Sequence, residues 1–106
     1  MQSKKRWLVA KFGGTSVATK KNWLKIERIL SSYKEENLYP FLVCSALSKV
    51  SSKLENLCIK ASLSAYKAEL LELKKIHQDF CFDLELGKQA STFVEEEFEK
   101  LEKLCL

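Results

Sequence analysis

Apolar residues gather first in two short runs and then in stripes of longer period. Trp7 to Phe12 is apolar apart from Lys11, and Gly13-Gly14 ends the run. That length and that stop predict a buried strand followed by a tight turn. Thr15 and Ser16 are both candidates to cap the next element. Trp23, Ile26, Leu30 and Tyr33 then recur at helical spacing, which predicts a helix to about Lys34. Glu35, Glu36 and Asn37 read as a polar loop. Tyr39 to Cys44 is the second apolar run, with Pro40 near its entrance, where a missing backbone donor is tolerated. Ser45-Ala46-Leu47-Ser48 follows it.

From Ser51 the helical period returns, with Leu54, Leu57, Cys58 and Ala61 on one face. A third helix is predicted from the stripe Tyr66, Leu70, Leu73, His77, Phe80 and Leu84, with Gly87 as its stop. Val94, Phe98, Leu101 and Cys105 define a fourth. The order is strand, helix, strand, then three helices. Two strands joined by one helix normally lie parallel with a right-handed crossover. The fold class is therefore α/β. Two parallel strands do not make a stable sheet alone, because such sheets are covered on both faces. Residues 1–106 are expected to be the start of a larger parallel sheet, incomplete and helix-dominated. An open sheet edge and unfilled apolar faces favour self-association.

Composition narrows the class. The formal net charge of +4, with 18 basic and 14 acidic residues, is too small to imply nucleic acid. Much of the excess sits in Lys4, Lys5 and Arg6 and at Lys20 and Lys21, and reads as solvated surface. No aromatic residues interleave with a basic stripe, as a single-strand binder requires. The cysteines, Cys44, Cys58, Cys81 and Cys105, include no C-x-x-C pair, and one histidine cannot complete a usual zinc site. Each lies in an apolar stretch and reads as a small buried hydrophobe in a reduced, cytoplasmic protein. The first twelve residues lack the apolar length and cleavage site of a signal peptide, and no run is long enough to span a membrane.

Ligands of open parallel sheets bind at the carboxyl ends of the strands. Both predicted strands change character there, one into Gly13-Gly14-Thr15-Ser16 and the other into Ser45-Ala46-Leu47-Ser48. Parallel strands put these loops on one edge. Two glycines let the backbone approach an anion, amides opening the next helix favour negative charge, and Lys11 adds an ammonium. The alternative is a plain glycine turn beside a snorkelling lysine. The loop is not a Walker A motif, because the lysine precedes the glycines.

Read together, Lys11-Phe12-Gly13-Gly14-Thr15-Ser16-Val17 (KFGGTSV) resembles the amino-terminal signature of aspartate kinases in the amino acid kinase superfamily. Val43-Cys44-Ser45-Ala46-Leu47-Ser48-Lys49-Val50-Ser51-Ser52 is similar to that family's V-x-S-A-x-S-G-[VI]-T-N stretch. It departs where Lys49 replaces a common glycine, Ser51 a threonine and Ser52 an asparagine, changes that bear on substrate affinity. The resemblance implies transfer of the γ-phosphoryl group of ATP, with Mg2+, to the side-chain carboxylate of L-aspartate, at the start of lysine, threonine and methionine synthesis. It implies that Lys11 stabilises the transferring group and is catalytic. Gly13, Gly14 and Thr15 with Ser45 would hold phosphate, and Ser51 would contact aspartate. Thr15 and Ser16 either help the phosphate site or only cap the helix, with capping favoured.

Family members are several times longer. The adenine and metal sites, the regulatory ACT domains and any fused homoserine dehydrogenase or diaminopimelate decarboxylase would lie outside these residues, and the isolated chain is expected to be inactive. A non-catalytic interaction protein and another small-molecule kinase of the superfamily are the competing readings. Three further features read as structural. His77 is a packed histidine with a satisfied nitrogen, Glu95-Glu96-Glu97 a solvated face opening the last helix and no metal site, and Trp7 and Trp23 packing residues.

Overall fold

A computed structural model describes residues 6–106; Lys4 and Lys5 of the basic start lie outside them. The element order is β1 (Arg6–Phe12), α1 (Lys20–Glu35), β2 (Leu38–Cys44), α2 (Val50–Ser62), α3 (Lys67–Asp83) and α4 (Gly87–Cys105). It is the expected α/β arrangement, dominated by helix. The chain divides into two compact units, residues 1–48 and 49–106.

In the first unit β1 and β2 pair in parallel, with Arg6 opposite Leu38 and Phe12 opposite Cys44. They form a two-stranded sheet. The α1 stripe is the predicted one, with Ile26 buried and Trp23, Leu30 and Tyr33 half-buried. Its cap is not. Neither Thr15 nor Ser16 serves; Thr19 does, its hydroxyl accepting from the Asn22 amide at 3.2 Å. Gly13-Gly14 is followed by a separate turn, closed by the Val17 amide donating to the Gly13 carbonyl at 3.1 Å. That turn uses up the residues that spacing alone would give to the helix. Trp23 braces it by donating from its indole Nε1 to the Val17 carbonyl at 2.7 Å.

In the second unit three helices pack through Leu57 of α2, Leu70 and Leu73 of α3, and Tyr66 just before α3, all buried. Leu54 and Cys58 of the predicted α2 face are instead exposed. Helix stops here do not use glycine. After α2, Ser64 takes φ 56°, and after α3, Glu85 takes φ 54°. Both ends close with the paired bonds of a Schellman motif: Ala65 to the Lys60 carbonyl at 2.8 Å, and Leu86 to the Cys81 carbonyl at 3.0 Å. Gly87, expected to stop α3, opens α4 instead, so the acidic run Glu95–Glu97 lies well inside that helix and not at its start.

Candidate functional site

The parallel pairing brings the two predicted loops to one end of the sheet. Lys11 stands opposite Val43, and the Ser45 amide donates to the Phe12 carbonyl at 3.1 Å. Gly14 then packs directly on the second loop. A Cβ at that position would come within 2.9 Å of the Ala46 carbonyl oxygen, 3.3 Å of Ser45 Oγ and 3.4 Å of Ser48 Cα. Real Cβ atoms do not approach an oxygen so closely, so the contact admits only glycine. Gly13 is different: nothing lies within 4 Å of a Cβ built there, and its backbone is open. One glycine joins the loops and the other leaves the surface bare.

The turn after β1 supplies donors. Among the described residues, the amides of Gly14, Thr15 and Ser16 donate to no protein group. They are the orphan donors of a single turn, equivalent to those that open a helix. The expectation that α1 itself supplies these amides is corrected, since α1 begins only at Lys20. Thr15 contributes its carbonyl, which accepts from Asn22 Nδ2 at 3.2 Å and pins the turn to α1. Its hydroxyl caps nothing. Lys11 is exposed and has no ion-pair partner among the described residues. Ser45 is also exposed, with its hydroxyl donating to the Ala46 carbonyl at 2.9 Å. Lys11, Gly13, Gly14, Thr15 and Ser45 therefore belong to one corner of the first unit. Ser51 is an exposed residue in the first turn of α2, in the second unit.

Lys49, at the position where the resembling motif carries glycine, adopts φ 68° as the N-cap of α2. That left-handed conformation suits glycine and costs an L-residue roughly 1–2 kcal/mol. The signal was in the sequence, as the one lysine in a glycine slot, but its meaning needed the backbone angle.

The remaining polar chemistry is structural. The His77 Nδ1 donates to the Leu73 carbonyl at 2.8 Å, and its ring lies 5.4 Å from that of Phe98, so it is the packed, satisfied histidine expected. Glu95 departs from the solvated reading: Lys74 pairs with it at 2.6 Å and Gln78 donates to it. The Lys74 hydrogen bond, followed by that of Gln78, holds its carboxyl below the usual range despite a counteracting loss of solvent. Burial, then Glu102 and Cys105, pushes the Tyr66 hydroxyl up. Burial, then Cys58 and Glu102, does the same for the Cys105 thiol. The cysteines are all free, but none is fully buried: Cys44 and Cys58 are exposed and Cys81 and Cys105 half-buried, which corrects their reading as core residues. Trp23 packs as expected, whereas Trp7 is 67% exposed. No described helix is long and apolar enough to cross a membrane. No family model, curated protein or solved structure matches the chain.

Proposed function

We propose that this chain carries the phosphate-handling corner of an aspartate kinase, a phosphotransferase acting on a carboxyl acceptor. The observation that bears most weight is the contact of Gly14 with the Ser45–Ser48 loop. It requires glycine in the middle of KFGGTSV for a packing reason and joins two motifs that are far apart in sequence. Beside that contact lie an open Gly13 and three unsatisfied amides, and exposed Lys11 is on the strand that leads into it. This donor set fits the terminal phosphates of a nucleotide. In this reading magnesium arrives with the nucleotide.

The chemistry asks little of the protein beyond this. The side-chain carboxylate of L-aspartate is ionised at neutral pH and needs no general base. Phosphoryl transfer then rests on alignment and on neutralising charge at the transferring group. In this reading Lys11 supplies that charge, the Gly14–Ser16 amides fix the phosphate oxygens, and Ser45 adds a hydroxyl. Ser51 is assigned to aspartate only by the motif. Four free thiols suit a reduced, cytoplasmic setting.

Titration of the chain with ATP and Mg2+, followed by phosphorus NMR, tests the reading. Saturable shifts of the terminal phosphate resonances are expected, with a Kd in the range of about 1 mM that suits so small a donor set. Lys11→Ala should weaken binding at least about tenfold, the loss of one charge-assisted contact. Unchanged binding by Lys11→Ala, or no shift at saturating nucleotide, would refute the assignment.

A further inference from the structure

The sheet has two unlike faces. Leu8, Ala10 and Phe12 of β1 stand on its less exposed side. Trp7, Val9 and Lys11 alternate to the other, and register sets Tyr39, Phe41 and Val43 beside them. Val9 is 68% exposed and Phe41 58%, and Trp7, Tyr39 and Val43 are exposed with them. Trp7 and Tyr39 already meet across the strands, with ring centroids 5.8 Å apart. A solvent-facing sheet surface normally carries polar residues at such positions. Among the described residues of this face only Lys11, at one end, is charged.

We infer that this face is the seat of a second copy of the chain, packed sheet against sheet with the strands of the two copies running in opposite directions. Area supports it. An aromatic side chain spans about 150–250 Å², so the three rings leave on the order of 300–400 Å² uncovered. With the two valines the patch reaches roughly 500–600 Å², the upper end of what a monomer exposes. Two such patches bury about 1,000–1,200 Å² together, the low end for a specific interface and suited to a weak dimer.

Charge sets the direction. Strands running the same way would stack Lys11 on the partner's Lys11. Running oppositely, each Lys11 meets the partner's Trp7 and the partner's Tyr39, where a cation over ring faces is stabilised. Growth through the outer edge of β2 is disfavoured. Because Ser45 donates to Phe12, the alternate amides of Tyr39, Phe41 and Val43 face β1, and Pro40 falls on the outward side with no N–H to offer. The loops at Gly13–Ser16 and Ser45–Ser48 lie beyond the strand ends and stay outside this interface. Lys11 is shared with the kinase reading, so the inference is tested without nucleotide and on variants that keep Lys11.

Sedimentation equilibrium of the full chain is the test. A reversible dimer is expected at about 500 µM, a concentration suited to a weak interface. Phe41→Glu, on β2 and away from the open edge of β1, should raise the dimer dissociation constant at least about tenfold, as loss of a central aromatic anchor does. Phe82→Glu, at a still more exposed residue of α3, should leave it unchanged. Circular dichroism checks that both variants are folded. A monomer at that concentration would mean another occupant covers the face and would overturn the inference. So would a Phe41→Glu protein that dimerises as well as the parent, which would point to pairing through the β1 edge.

Discussion

Among the described residues, Val17 and Ile26 are the buried apolar side chains of the α/β unit, while Val50, Leu57, Tyr66, Leu70 and Leu73 belong to the helical unit. The polar chemistry divides the other way. The α/β unit holds an exposed lysine, unsatisfied amides and a bare glycine at the carboxyl ends of its strands. In the helical unit the Lys53–Glu72 pair at 2.5 Å, the Lys74–Glu95 pair and the His77 bond occupy polar groups within the unit. A helix satisfies its own backbone and can bury one stripe against a neighbour. A two-stranded sheet leaves an edge and a face open, so its stability and its capacity to bind draw on the same uncovered groups.

Five changes probe that contrast, the largest first. Leu73→Ala removes a side chain 1% exposed at the centre of the helical unit. It should cost about 2–4 kcal/mol, read as a lower midpoint of denaturant unfolding by helical circular dichroism. If the protein tolerates it with little change, the helical unit is not the firmer of the two. Gly14→Ala and Gly13→Ala form a matched pair in the α/β unit. The first drives a methyl into the Ala46 carbonyl and should cost about 1–3 kcal/mol together with nucleotide binding. The second meets open space and should stay within about 0.5 kcal/mol of the parent. Equal effects at the two glycines would remove the packing argument for the site.

Lys49→Gly relieves a left-handed lysine and should stabilise the start of α2 by up to about 1 kcal/mol, offset in part by the freedom glycine adds to the unfolded chain. A melting temperature that falls would show Lys49 gaining from a contact that outweighs its backbone angle. The smallest effect concerns Glu95. Its carboxyl pKa is lower in the folded state than in the unfolded one, so its contribution is present above the unfolded value and is lost as pH falls through the folded one. Glu95→Gln should therefore narrow its stability gap to the parent on acidification through the carboxylate range, below about pH 4. A gap independent of pH would show that the Lys74 pair contributes nothing, as exposed ion pairs often do.

Periodicity was enough for the element order, for the stripes of α1, α3 and α4, and for the parallel pairing, because each follows from local spacing and from the length of the connecting helix. The same holds for the loops that converge: Gly13-Gly14 and Ser45–Ser48 end two neighbouring parallel strands, and no other placement is open to them. Helix ends were less legible. Thr15 and Ser16 have cap chemistry, but the turn closed by Val17 claims them, and Thr19 takes the role. Ser64 and Glu85 stop helices in a conformation their side chains do not advertise.

Local spacing determined the elements of this chain and the chemistry at the strand ends, since both depend on residues near one another along the backbone. Only the tertiary structure decided which groups stay uncovered. That Gly14 is a packing glycine and Gly13 an open one, and that Trp7 and Phe41 face outward while Trp23 packs, depends on what each side chain meets from distant parts of the chain. A run of apolar residues carries no mark of whether anything will cover it.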